Sequence, residues 1–223
     1  MVTTERTPAI SRSRLGPRSS GTLMTPEEFD DRPEWHWNDL FRYELIRGIL
    51  VVTPIAGPAE RSPNDYLGHL LQMHQETHPQ GSAIDATLFE QDLAVGEDRR
   101  RCDRAIWTGL GRLPDPEKDL PSIVIEFVSA SRRDRLRDYE EKLREYTALG
   151  VKEYWIIDRF RRIMTVHRNR PAGVTPLVVA EAESYQTELL PGFVLPLARL
   201  LARADDWPPK KKRTRRPPAP GAE

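Results

Sequence analysis

The segment from Ser122 to Asp158 limits the fold of this chain more than any other. "SIVIEFV" is an apolar run of strand length, and "EYWIID" is a second. Between them Leu136, Tyr139, Leu143 and Tyr146 recur at helical spacing, and Gly150 follows as a C-cap. Strand, helix and strand in that order make a crossover unit, with parallel strands joined by a right-handed connection. The fold class is therefore α/β, and the neighbouring segments make the sheet mixed and flank it with helices.

Those neighbours are mostly strands. "FRYELIRGILVV" reads as a hairpin of Tyr43 to Ile46 and Ile49 to Val52, turning at Arg47-Gly48. "ATLFEQDLAV" and "CDRAIW" precede the crossover, and "IMTVHR" follows it after the short turn "DRFRR". A helix is expected from Pro63 to about His78, where apolar residues fall at 67, 70, 71 and 73. A short one starts near Pro26, with Thr25 as N-cap and Glu28 at the capping-box position. "LLPGFVLPLARLLARAD" should close the domain with an edge strand and a short helix.

With 223 residues the chain has room for one full core. The domain is expected over 23–206, between a disordered N-terminal tail, 1–22, and a disordered basic, Pro-rich tail, 207–223. The formal net charge of zero hides an uneven distribution. Residues 21 to 206 carry 24 basic and 32 acidic side chains, a net of −8, while both tails are basic. No apolar run approaches the roughly 20 residues that cross a bilayer, and the N-terminus lacks the apolar stretch of a secretory signal. The single cysteine, Cys102, suits a reducing cytoplasm.

Against this background one carboxylate is out of place. Period-2 alternation turns Ile123, Ile125 and Phe127 to one face and Val124, Glu126 and Val128 to the other, so Glu126 lies in an apolar strand. An unpaired buried carboxylate costs several kcal/mol or more, so a partner is required. Asp103 occupies a similar position before "RAIW", and Lys142, four residues after Asp138, borders the apolar stripe of the helix and can reach back to the sheet. Two carboxylates and a lysine form a hard, oxygen-ligand set that suits Mg²⁺ or Mn²⁺ and hydrolysis of a phosphodiester. A salt bridge from Glu126 to an arginine of "SRRDRLR" explains the same residues without any catalysis.

The ordered set "YELIRG", "RRRCDRAIW" and "IVIEFVSASRRDRLRDYEEKLREYTALGVKEYWIID" resembles the Uma2 family of restriction-endonuclease-like proteins, within the PD-(D/E)XK nuclease superfamily. The resemblance runs from about residue 24 to 204. It implies a metal-binding pair at Asp103 and Glu126, a further acid at Glu44 and a catalytic lysine moved onto the helix at Lys142. Two positions depart from the superfamily pattern: Cys102 stands where a proline precedes the first acid, and Val128 where a strand lysine follows Glu126. The resemblance implies a Mg²⁺- or Mn²⁺-dependent endonuclease acting on DNA in the cytoplasm, as a homodimer if both strands are cut. The rivals are a catalytically inactive nuclease-fold module that binds nucleic acid or protein, and a hydrolase of some other phosphate substrate.

Other groups are given plainer roles. His69, His74 and His78 share one helix and are expected to face solvent, because no carboxylates adjoin them. Tyr43, Tyr146, Tyr154 and Trp155 belong to the core or the pocket wall. Arg132, Arg133 and Arg135 are divided between a solvated linker and a DNA-backbone contact.

Overall fold

The computed structural model describes residues 16–32, 40–131 and 135–207. Most of both expected tails, and Arg132 and Arg133, lie outside the described residues. Of the N-terminal stretch, Gly21 donates its N–H to the Leu50 carbonyl and Leu50 donates to that of Thr22.

Helix α1 (Pro26–Asp30) has the expected capping box, with Thr25 and Glu28 bonded reciprocally. Strands β1 (Phe41–Ile46) and β2 (Ile49–Pro54) form the expected hairpin, whose turn needs positive φ at both central residues and has it at Arg47 and Gly48. Helix α2 (Pro58–Thr77) begins five residues before the expected start at Pro63. Pro58 takes the first helical position and the Glu60 carboxylate accepts the Gly57 N–H, so the helix is already capped upstream. Pro63 then costs one ladder bond near the start.

Strands β3 (Ile84–Val95) and β4 (Asp98–Thr108) make a long hairpin. β4 extends back through Arg99, Arg100 and Arg101 because each arginine has an acid partner across the fold: Asp30, Glu145 and Asp92 respectively. β5 (Ile123–Phe127) and β6 (Glu153–Asp158) are parallel, with Ile123 opposite Glu153. The connection contains one π turn, Arg137–Glu141, leading into α3 (Lys142–Leu149), which stops at Gly150 in the left-handed region.

After β6 the chain turns back antiparallel into β7 (Ile163–Arg170) and then β8 (Gly173–Ala180). β8 went unseen in the sequence because Pro176 interrupts it, and proline is tolerated there on the sheet edge. The main sheet runs β2-β1-β4-β5-β6-β7-β8, with β3 also on β4. The strand expected near the C-terminus is not an edge of this sheet. Leu195–Pro196 (β10) pairs with Ser184–Tyr185 (β9) as a separate two-stranded ribbon, since Pro196 ends the ladder and Leu195 is drawn into the core. Helix α4 (Leu197–Asp205) follows and packs on α2.

Side-chain alternation divides the core. Ile123, Ile125, Phe127, Trp155 and Ile157 face α2 and α4, where Leu67, Leu71, Leu200 and Leu201 meet them. Val124, Val128, Tyr154 and Ile156 face α3 and pack with Tyr146. Burying each such side chain contributes about 1.5–3 kcal/mol. Glu126 falls on the α3 side, as the alternation requires. No helix among the described residues is long and apolar enough to cross a membrane.

The junction of α2 with β3 has no spare space at Gly81, where a Cβ would lie 2.3 Å from the His74 carbonyl oxygen and 2.5 Å from that of Gln75. Backbone cannot yield as a side chain can. Gly81→Ala is expected to lose about 1–3 kcal/mol, seen in urea unfolding as a lower midpoint with an unchanged slope.

Candidate active site

The sheet forks along β4. β3 covers one edge of that strand. On the other edge β1 joins through Leu45 opposite Arg99, and β5 joins at Arg104 to Ile106. Residues 100–103 face the wedge between β1 and β5, and their backbone groups still require partners. Side chains supply them. The Arg101 N–H donates to Glu44 Oε1 at 3.2 Å, and the Arg101 carbonyl accepts from Lys142 Nζ at 3.2 Å. The Asp103 carbonyl accepts from Asn64 Nδ2 at 2.9 Å, and the Phe127 N–H donates to Asp103 Oδ2 at 2.6 Å.

The wedge brings Glu44, Asp103, Glu126 and Lys142 together in one cleft of about 150 Å³, also lined by Arg42, Glu60, Arg137 and Asp138. Lys142 is at its centre. Its Nζ lies 2.7 Å from Glu126 Oε1 and 3.8 Å from both Glu44 Oε1 and Asp138 Oδ1. The partner of Glu126 is thus this lysine, with the Tyr146 hydroxyl donating at 3.3 Å, rather than an arginine of the linker. Arg137 instead pairs with Glu44 Oε2 at 3.1 Å. The π turn, closed by the Lys142 N–H on the Arg137 carbonyl, carries Asp138 and Lys142 buried against the sheet.

Burial and charge act together on these groups. Burial pushes the Glu126 carboxyl above the usual carboxylate range; Lys142 opposes the rise, and Asp103 and Asp138 add to it. Asp138 is raised as well, again chiefly by burial. Burial would raise Glu44 as well, but Lys142, Arg137 and Arg100 outweigh it and hold its carboxyl below the usual range. Burial works against the charge of Lys142, and Glu126, Glu44 and Asp138 overcome it, so the ammonium is held above its ordinary value.

Arg42, Arg137 and Asp138 were not singled out as site residues in the sequence. Arg42 Nη2 lies 2.8 Å from Asp103 Oδ1, and its guanidinium also bonds to Glu90. Its signal was available, because Arg42 and Glu44 are two apart on β1 and so share a face. Among the described residues no three His, Cys, Asp or Glu side chains form a cation cage. The donors that line the cleft are carboxylate oxygens, the type that Mg²⁺ takes one or two at a time while keeping waters and substrate oxygens. This donor set fits such an ion.

The histidines do not form a site. His69 is exposed, but His74, expected to face solvent, is buried against His78 and the edge of Phe193 because α4 and its approach cover that end of α2. Tyr43, Tyr146, Tyr154 and Trp155 are core residues.

A solved structure shares this architecture: the crystal structure of "a putative nuclease belonging to DUF820" from Anabaena variabilis ATCC 29413 matches with a TM-score of 0.61 over 81% of this chain and 99% of that one, at 15% identity. The likeness shows that the two chains share one mixed α/β fold, a central sheet flanked by helices. The chain belongs to the Uma2 family, whose model, described as "Putative restriction endonuclease", matches residues 26–198. No curated protein matches.

Removing the central cation leaves Glu126 buried without its ion-pair partner, while Glu44 keeps Arg137 and Asp103 keeps Arg42. Lys142→Met is expected to cost about 3 kcal/mol or more, and adding Glu126→Gln should recover part of it. Urea unfolding of both single variants and the double variant should give a coupling of at least about 1 kcal/mol, whereas additive losses would contradict a direct pair.

Proposed function

We propose that this protein is a Mg²⁺- or Mn²⁺-dependent endonuclease that hydrolyses DNA phosphodiester bonds. Asp103 and Glu126 are the metal ligands, Lys142 is the electrostatic catalyst and Glu44 is an outer acid. The observation that carries this reading is the position of Lys142, a buried ammonium 2.7 Å from Glu126 in the wedge that also holds Asp103. A bound divalent ion supplies a water of lowered pKa and neutralises charge on the phosphodiester. The protein contributes fixed charge around it. Lys142, held protonated by three acids, stabilises charge that grows on the phosphate oxygens. Glu44 orients that lysine and takes Arg137 on its other oxygen. Arg42 offers a planar guanidinium that can pair with phosphate as it pairs with Asp103. A cytoplasmic setting suits the buried, free Cys102, and a homodimer would supply the second site needed to cut both strands.

One observation favours a second reading, a nuclease-fold binding module without catalysis. Both oxygens of Asp103 are already engaged, by Arg42 and by the Phe127 N–H. Metal must therefore compete with Arg42 for that carboxylate.

Plasmid nicking separates the two. Activity is expected with Mg²⁺ or Mn²⁺ and none with EDTA. Asp103→Asn, Glu126→Gln and Lys142→Met should each lower the rate about 10²–10³-fold, and Glu44→Gln should lower it less. Nicking that persists in all the variants would exclude this site, and metal-independent DNA binding without cleavage would establish the binding module.

A further inference from the structure

We propose that the turn joining β6 to β7 is a landing site for single-stranded nucleic acid beside the cleft, with Phe160 as the stacking platform for an unpaired base and Arg135 and Arg161 as contacts to the backbone. The inference rests on the nuclease reading only for the role of the strand it would hold.

Position comes first. Because β5 and β6 are parallel, Phe127 lies opposite Ile157 and the Val128 N–H donates to the Ile157 carbonyl at 2.9 Å, so the turn after Asp158 leaves the sheet at the same end as Glu126. Arg159 Nη2 lies 3.7 Å from Glu60 Oε1, and Glu60 lines the cleft with Asp103. The turn therefore borders the mouth of the cleft.

The chemistry of the turn is that of a nucleic-acid contact. Phe160 is 44% exposed, with the Arg159 guanidinium stacked over its ring at 4.3 Å from the centroid and that of Arg135 over it at 5.7 Å. A single exposed apolar residue is ordinary, but this ring stands among cations on a body whose net charge is −8. Arg135 and Arg161 have no carboxylate partner among the described residues; Arg161 lies over the Tyr139 ring instead. The Arg135 and Arg161 guanidiniums keep donors for phosphate oxygens, while Arg159 is anchored beside Glu60.

The platform is held in place. Asp158 Oδ1 accepts the N–H groups of Phe160 at 2.9 Å and Arg161 at 3.0 Å, and its Oδ2 accepts the Tyr139 hydroxyl at 3.1 Å. Arg162, at φ 57°, fastens the far side of the turn to Glu181 and Asp205. A fixed ring that the arginines cover only in part offers its remaining exposed surface to a base, and a base offers its face only outside a stacked duplex. Single strands or locally opened duplexes are the occupants this geometry selects.

The test uses the full chain in EDTA at low ionic strength, with anisotropy of a labelled oligothymidine and of a labelled duplex. Wild type is expected to favour the single strand. Phe160→Ala should weaken single-strand binding about tenfold with little effect on the duplex. Phe160→Trp should retain binding, with indole fluorescence quenched on addition of unlabelled oligothymidine. Loss of nicking in Glu126→Gln together with unaltered binding in Phe160→Ala would overturn the landing site while the nuclease stands. Equal losses on single strand and duplex, or no single-strand binding by wild type, would also overturn it. A binding loss in Phe160→Ala that Trp restores, in a protein that no divalent metal makes nick DNA, would support the landing site and remove the nuclease.

Discussion

The divergence of β1 and β5 along β4 is the constraint on which the rest of this structure depends. A sheet that continued regularly would pair residues 100–103 with another strand and leave no opening. Because the two strands part, backbone donors and acceptors in the middle of a domain need side-chain partners, and buried polar groups left without them are costly. Glu44, Asp103, Asn64 and Lys142 fill that need. The same side chains that complete the sheet's hydrogen bonding thus form the polar cleft.

This dual use explains the crowding of charge. Lys142 cannot be buried without acids around it, and Glu44, Glu126 and Asp138 cannot be buried together without Lys142 and Arg137. The network extends outward through Arg42 to Glu90 and through Arg101 to Asp92, and Asp103 itself is held by Arg42 and the Phe127 N–H. The proposed divalent ion would enter at Asp103 and Glu126, with Arg42 the cation it displaces.

The sequence was most legible where periodicity was strong. Ile123 to Val128 alternated cleanly, and Glu126 was found because it broke the pattern. Thr25, Pro26 and Glu28 announced their helix start through capping chemistry that acts within four residues. Legibility failed where distant partners decide the outcome. The strand expected over "CDRAIW" extends back through Arg99 to Arg101, because Asp30, Asp92 and Glu145 neutralise those arginines from other elements. β8 was hidden by Pro176, which only an edge position tolerates. His74 was read as exposed because nothing local shows that the approach to α4 will cover it.

By itself the sequence determined the crossover of β5, α3 and β6, the two faces of its strands, and a residue set of two acids and a lysine that needed one another. These follow from spacing and from the cost of burying charge, both local in origin. Only the tertiary structure decided that Lys142 rather than an arginine answers Glu126, that Arg42 sits on Asp103, and that Glu44 closes the wedge. Those pairings join residues that are 16 positions apart for Lys142 with Glu126 and far more for the others. They depend on where β1 leaves β4 and on the π turn before α3, and neither has a sequence period to betray it.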